Sequence, residues 1–384
     1  MTLRTIYQRL PAPLRRLGNP ALHCYRFFRG LRVELWSVQG DERHSGLPLS
    51  VLCALPSKQK SYVVRLMFGE SFRERCLGRV WIWKIPRAAE NAGLDYSMTL
   101  VKADSGRFRS WTAKGWFVIP FWVEGTVELP LSLEVRKSET VLSDLRRIKK
   151  NGLDFEVTRD PHWLEIFYNE MYVPFMNRKY GDRVQIDSSE ELKIRFQDGE
   201  LLLIKSGAEH IAGVLLTNEG SYPMLWVSGI RDRGRDYRKE GLAAAIYHLS
   251  FAHLQEKGFT KAGLGWSRPF LNDGVLRFKH KLSQQITGSS LNGMALKISS
   301  YTAATRSFLQ NNPFMFEGTD GLCGAIFLEA EAPLDEAMTH QLNKEYGHRG
   351  LVRLCTYRLP QAGSSERKLR STSARSVLQD PQAD

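Results

Sequence analysis

The sequence predicts a mixed α/β fold of the α+β kind, with a strand-rich first half and a second half in which strands and helices alternate. Two observations carry that expectation. Residues 33–135 hold short apolar runs of strand length, and residues 153–282 switch repeatedly between strand-like and helix-like periods. A third observation points to function. The hexapeptide Arg238-Lys239-Glu240-Gly241-Leu242-Ala243 sits between a short apolar segment, 224–230, and an amphipathic helix, 242–257. A strand, a basic glycine turn and a helix N-terminus together make an anion-binding unit: free N–H groups and the positive end of the helix dipole face the ligand, and glycine lets the backbone approach it.

Length and composition set the frame. At 384 residues the chain is expected to hold two or three domains. Its formal net charge of +13 favours an anionic partner, such as nucleic acid, anionic lipid or a phosphorylated cofactor; a soluble enzyme with a basic surface is the plainer reading. No segment approaches the ~18 uninterrupted apolar residues of a membrane span. The basic N-terminus lacks the apolar core of a signal peptide. Cys24, Cys53, Cys76, Cys323 and Cys355 are scattered without a CxxC, which fits a reducing cytoplasm and argues against a disulfide framework or zinc site.

Taken in order, residues 1–32 form a basic arm with Arg4, Arg9, Arg15, Arg16, Arg26 and Arg29 among Leu, Tyr and Phe. Pro11, Pro13 and Pro20 interrupt a helix there. The composition allows peripheral contact with anionic lipid at the inner face of a membrane. Within 33–135, residues 50–55 and 61–67 read as the arms of a hairpin, and 81–85 and 116–127 as further strands. Residues 136–152 read as a basic helix stopping at Asn151-Gly152. Then come a strand at 153–158, a helix at 161–180, strands at 200–205, 211–217 and 224–230, the helix 242–257, a strand at 261–266, a helix over 273–282 and a strand at 325–329. Residues 336–360 extend this region, and the polar tail 361–384 reads as disordered.

The order strand, basic glycine turn, helix, strand, helix resembles the GCN5-related N-acyltransferases (GNAT superfamily). Their cofactor loop is Gln/Arg-x-x-Gly-x-Gly/Ala, matched here by Arg238, Gly241 and Ala243. The segment Ser267-Arg268-Pro269-Phe270-Leu271-Asn272-Asp273-Gly274, continuing to Phe278-Lys279, resembles the Fem-like and cellulose-biosynthesis-associated members. Those carry a Phe-Lys pair where ordinary acetyltransferases have Phe-Tyr. The basic segment 143–152, with Tyr172-Val173-Pro174 after it, is similar to the entry of that fold. The resemblance covers about residues 136–330. It implies a mostly antiparallel twisted sheet flanked by helices, an acyltransferase domain over 136–335, and a degenerate first GNAT-like half over 33–135.

What the resemblance implies for the site can be stated residue by residue. Amides near Val227, Ser228, Gly229 and Ile230 would face the pantetheine arm and thioester of acetyl-CoA or another acyl-CoA. Those of Lys239, Glu240, Gly241, Leu242 and Ala243 would hold the pyrophosphate, with Arg238, Arg233 and Arg235 neutralising charge. Asn272 and Phe278 would border the cofactor. Lys279 stands where many members have the tyrosine that protonates the leaving thiolate; a solvated helix face is its plainer reading. Asp273 is a candidate acid–base residue and equally a helix cap. Glu219 and Asp232 lie at the expected edges of the site. His248 and His253 read as core-helix histidines, and Tyr222, Trp226 and Trp266 as core aromatics or acceptor-pocket walls. No nucleophile–base pair is visible, so direct transfer to a primary amine of a small molecule or cell-envelope precursor is the simpler chemistry. Two alternatives stay open: transfer from aminoacyl-tRNA to a cell-wall precursor, and an inactive GNAT-like basic scaffold.

Overall fold

The computed structural model describes residues 31–85, 87–88, 95–103, 115–181, 186–218, 221–231, 237–288, 292–360 and 370–374. Three sheets organise them. The first runs in the order Phe72–Trp81, Arg32–Asp41, Pro48–Ala54, Met98–Ala103, Gly293–Ile298, Phe117–Pro120. The second, of seven strands, runs Gln285–Gly288, Val123–Glu128, Lys261–Ser267, Met224–Ile230, Glu209–Thr217, Glu200–Ser206, Leu153–Thr158. The third joins Phe314–Glu317, Leu322–Leu328, Arg353–Arg358 and Arg370–Ala374. Pairing is mostly antiparallel, with one parallel pair in each sheet. Helices flank the sheets, so the α+β expectation describes the molecule. Among the described residues no helix is long and apolar enough to cross a membrane.

Several sequence expectations are corrected. Residues 61–67 are not a hairpin arm; they lie in the helix Ser57–Phe68. Their β-branched Val63 and Val64 suggest a strand, but Lys60, Val63, Val64, Met67 and Phe68 repeat at helical spacing and are the buried face. Burial of such side chains is worth about 1.5–3 kcal/mol each and overrides local propensity. Residues 82–84 form a 3-10 turn rather than strand. The run 116–127 splits into two strands that enter different sheets.

That split links the regions on either side of residue 135. Val123–Glu128 pairs with Lys261–Ser267 in the second sheet, while Gly293–Ile298 crosses back to pair with Met98–Ala103 and Phe117–Pro120 in the first. The halves exchange strands. The basic helix also differs from expectation: it begins at Leu133 and is broken at Ser138, whose side chain caps a second helix, Glu139–Lys150. Helix 161–180 is continuous but contains a π-helical turn, Phe167–Tyr172. The tail is not wholly without structure, since Arg370–Ala374 pairs with Arg353–Arg358.

The core of the second sheet forms where Leu202, Ile204, Val214 and Leu225 meet Leu242, Ala245 and Ile246 of the long helix Leu242–Glu256. Val127 from the exchanged strand packs into the same cluster. This packing fixes the N-terminus of the helix against the sheet, where the candidate site lies.

Candidate active site

Strands Met224–Ile230 and Lys261–Ser267 run parallel but share a single register pair, Met224 with Gly263. Beyond it they diverge. Each strand is also irregular against its other neighbour, at Leu225/Val227 and at Gly263/Trp266. Gly265 has φ +71°, and a Cβ there would stand 2.7 Å from the Leu225 carbonyl oxygen. The backbones thus touch at the base of the divergence and open above it. Backbone N–H and C=O groups that lose a ladder partner need another one, which an extended polar ligand can supply.

A cleft of about 580 Å³ fills the opening. Its walls include Val227, Ser228 and Ile230 on one strand, Gly265 and Trp266 on the other, and Gly241, Ala243 and Ala244 at the helix start. Gly241 caps the Leu242–Glu256 helix with left-handed geometry, φ 78° and ψ 18°. The first-turn amides of that helix have no intrahelical acceptor. A glycine turn and a helix N-terminus therefore stand at the mouth of an opening between two diverging strands.

Comparisons with known proteins give a distant likeness. No protein-family model matches the chain, and no curated protein matches it. Among solved structures, the chain is similar to the C-terminal domain of a putative lysylphosphatidylglycerol synthetase from Agrobacterium fabrum, at 12% identity over 70% of this chain and 81% of that one, TM-score 0.34. It is similar to FemX at 11% identity over 68% and 83%, TM-score 0.33. It is similar to a GCN5-related N-acetyltransferase from Sphaerobacter thermophilus at 9% identity over 69% and 76%, TM-score 0.31.

The cleft is lined by the cations Arg147, Lys179 and Lys281 and by the carboxylates Asp144 and Asp273, and Arg147 Nη1 lies 3.6 Å from Asp144 Oδ1. Arg147 reaches the cleft because its helix, Glu139–Lys150, packs beside the glycine turn: a Cβ on Gly241 would be 3.1 Å from the Arg147 Cβ. Asn151 ties the two elements together by donating from Nδ2 to the Glu240 carbonyl at 3.0 Å. The Lys281 ammonium sits 4.8 Å from the centroid of the Phe278 ring. These cations and the glycine turn suit an anionic ligand.

Lys279 is not on a solvated face. It is 2% exposed, and its Nζ donates at 3.1 Å to the carbonyls of Gly265 and Trp266 and to Ser267 Oγ. Burial pushes its pKa down to about 7, opposed by the charge of Asp273, assisted by that of Lys179 and opposed again by Glu124. Asp273 caps the helix Gly274–His280, its Oδ1 accepting from the amides of Val275 and Leu276. It also lines the cleft.

The remaining expected residues divide. Phe278 lines the cleft, whereas Asn272 borders an adjacent cavity and donates to the Asn311 carbonyl at 3.1 Å. Gly229, Lys239, Glu240 and Leu242 are not among the cleft walls, and Leu242 is fully buried in the core. Arg238 belongs to the short helix Tyr237–Glu240, but its side chain lies outside the described residues, as do Arg233, Arg235, Asp232 and Glu219. His253 is bound to Glu200, Nε2 to Oε1 at 2.7 Å, away from the cleft. Tyr222 donates to Glu124 at 3.0 Å, while Trp226 and Trp266 are cleft walls. The sequence offered no local signal for Lys179 as a rim residue; only the fold of the 161–180 helix brings it there.

Proposed function

We propose that the protein is an N-acyltransferase that moves an acyl group from an acyl-CoA to a primary amine by direct transfer. The observation that carries this is the divergence of Met224–Ile230 from Lys261–Ser267, with a cleft between them opening at the N-terminus of the Leu242–Glu256 helix. Arg147, Lys179 and Lys281 would hold donor phosphates, and backbone groups of Val227 to Ile230 the pantetheine arm.

In the reaction the amine nitrogen bonds to the thioester carbonyl carbon, the C–S bond breaks, and the amine proton leaves as the thiolate gains one. Asp273, on the wall of the cleft, takes the amine proton directly or through water. Lys279 acts as a positioning residue. It fixes the bulge at Gly265 and Trp266, on the wall of the cleft where the thioester would lie. Calorimetry with CoA and acetyl-CoA tests the reading. Micromolar binding weakened by Lys179→Gln is expected; absence of binding by the wild type overturns it.

A second reading is favoured by the exposed basic face of Glu139–Lys150, where Arg146, Arg147, Lys149 and Lys150 face solvent beside the rim. Such a face suits a polyanionic donor, aminoacyl-tRNA. It requires tRNA binding that falls steeply with salt and no affinity for CoA.

A further inference from the structure

A second cavity of about 400 Å³ adjoins the donor cleft, and Trp266, Asp273 and Val275 line both. Three separate parts of the chain meet in it: Tyr62 from the helix Ser57–Phe68, Trp122 from the turn between Phe117–Pro120 and Val123–Glu128, and Arg268 just after Lys261–Ser267. The Arg268 guanidinium carbon lies 3.7 Å from the centroid of the Tyr62 ring and 3.8 Å from that of the Trp122 ring. Two aromatic rings against a planar cation fix its orientation and lower the entropy cost of any bond it makes. Its N–H donors all lie in the guanidinium plane, a fork that matches the two oxygens of a carboxylate or phosphate.

We infer that this cavity is the acceptor subsite, and that the acceptor carries an oxyanion, held by Arg268, next to the amine that is acylated. The inference rests on the transfer reaction proposed above. It adds the acceptor's chemical class and the residue that selects it. Tyr62 and Trp122 come from the strand-rich first half, so that half supplies acceptor recognition while the second half supplies the donor cleft. Asp273, on the shared wall, stands between the oxyanion subsite and the thioester. An amine anchored at Arg268 is therefore delivered to the residue that takes its proton.

Calorimetry of the full chain with O-phosphoethanolamine, β-alanine and ethanolamine, each with and without saturating CoA, tests the assignment. The phosphate and carboxylate probes separate the two kinds of oxyanion. At least one of them is expected to bind about tenfold or more tightly than ethanolamine. Arg268→Gln should erase that preference and leave CoA affinity unchanged. Arg268→Lys, which keeps the charge but not the fork, should retain part of it and guards against a variant that fails to fold. Equal binding of all three probes, binding of none, or an unchanged preference in Arg268→Gln overturns the inference. If CoA fails to bind while the oxyanion preference holds, the donor reading fails and the subsite stands.

Discussion

The Lys279 ammonium nitrogen lies 3.1 Å from the carbonyl oxygen of Gly265, at the point where the two central strands part. Its other acceptors, the Trp266 carbonyl and Ser267 Oγ, lie on the same strand, so one side chain holds three consecutive residues of the bulge. The Phe278-Lys279 pair therefore acts on the shape of the opening.

Lys279→Met should lower stability by about 2–3 kcal/mol, because it leaves buried acceptors without a donor. It should reduce kcat more than donor affinity, since it acts on alignment. The pH dependence has a definite sign. The folded pKa of about 7 is below the ordinary 10.5, so between those values the unfolded chain holds a proton that the folded protein lacks. Wild-type stability relative to Lys279→Met should rise with pH across that window. Urea unfolding of both proteins at several pH values measures it.

Gly241→Ala places a Cβ on left-handed backbone, 3.1 Å from the Arg147 Cβ. A cost of about 1–2 kcal/mol and weaker CoA binding are expected. Gly241→Asn, which tolerates that conformation better, should recover most of the stability. Thermal unfolding with and without CoA separates the two effects, because a ligand raises the melting temperature only if it binds the folded state.

Removing cationic charge from the rim should weaken CoA binding without unfolding the protein. Lys179→Gln and Lys281→Gln are each expected to cost about 1 kcal/mol, a five- to tenfold loss in affinity. The loss should shrink as ionic strength rises. Calorimetry across a salt series reads this, and a loss independent of salt would count against phosphate contact.

Glu200 is 7% exposed, with Lys257 Nζ at 2.7 and 2.6 Å from its two oxygens and His253 Nε2 at 2.7 Å. Burial pushes its pKa up, but the hydrogen bonds from Lys257 and His253 outweigh this and hold it below the ordinary 4.5. The resulting stabilisation is present above the unfolded value and is lost as pH falls through the folded one. Glu200→Gln should destabilise by about 3 kcal/mol at neutral pH and flatten the acid limb of the stability curve. Denaturant titrations between pH 3 and 7 follow both effects.

The legible parts of this protein were those set by neighbours in sequence. Gly241 announced a turn because it follows a basic stretch and precedes a helical stripe, and the turn is left-handed. Asp273 announced a cap by standing directly before its helix. Helix Ser57–Phe68 was hidden by the strand propensity of Val63 and Val64, although its buried spacing was present. The strand exchange had no local signature, since Val123–Glu128 gains its partners from residues more than a hundred positions away. Cavity-lining residues such as Lys179 and Tyr62 were invisible for the same reason: their placement depends on distant pairing.

The exchange of Val123–Glu128 and Gly293–Ile298 between the sheets has a consequence for biosynthesis and for dissection. During translation the first sheet cannot be completed before Gly293–Ile298 has been made, whereas every strand of the second ends at or before Gly288. The halves must mature together, and a cut near residue 135 would strand a piece of each in the other's fragment. A working protein could be rebuilt from two coexpressed pieces only if each carried the strand owed to its neighbour.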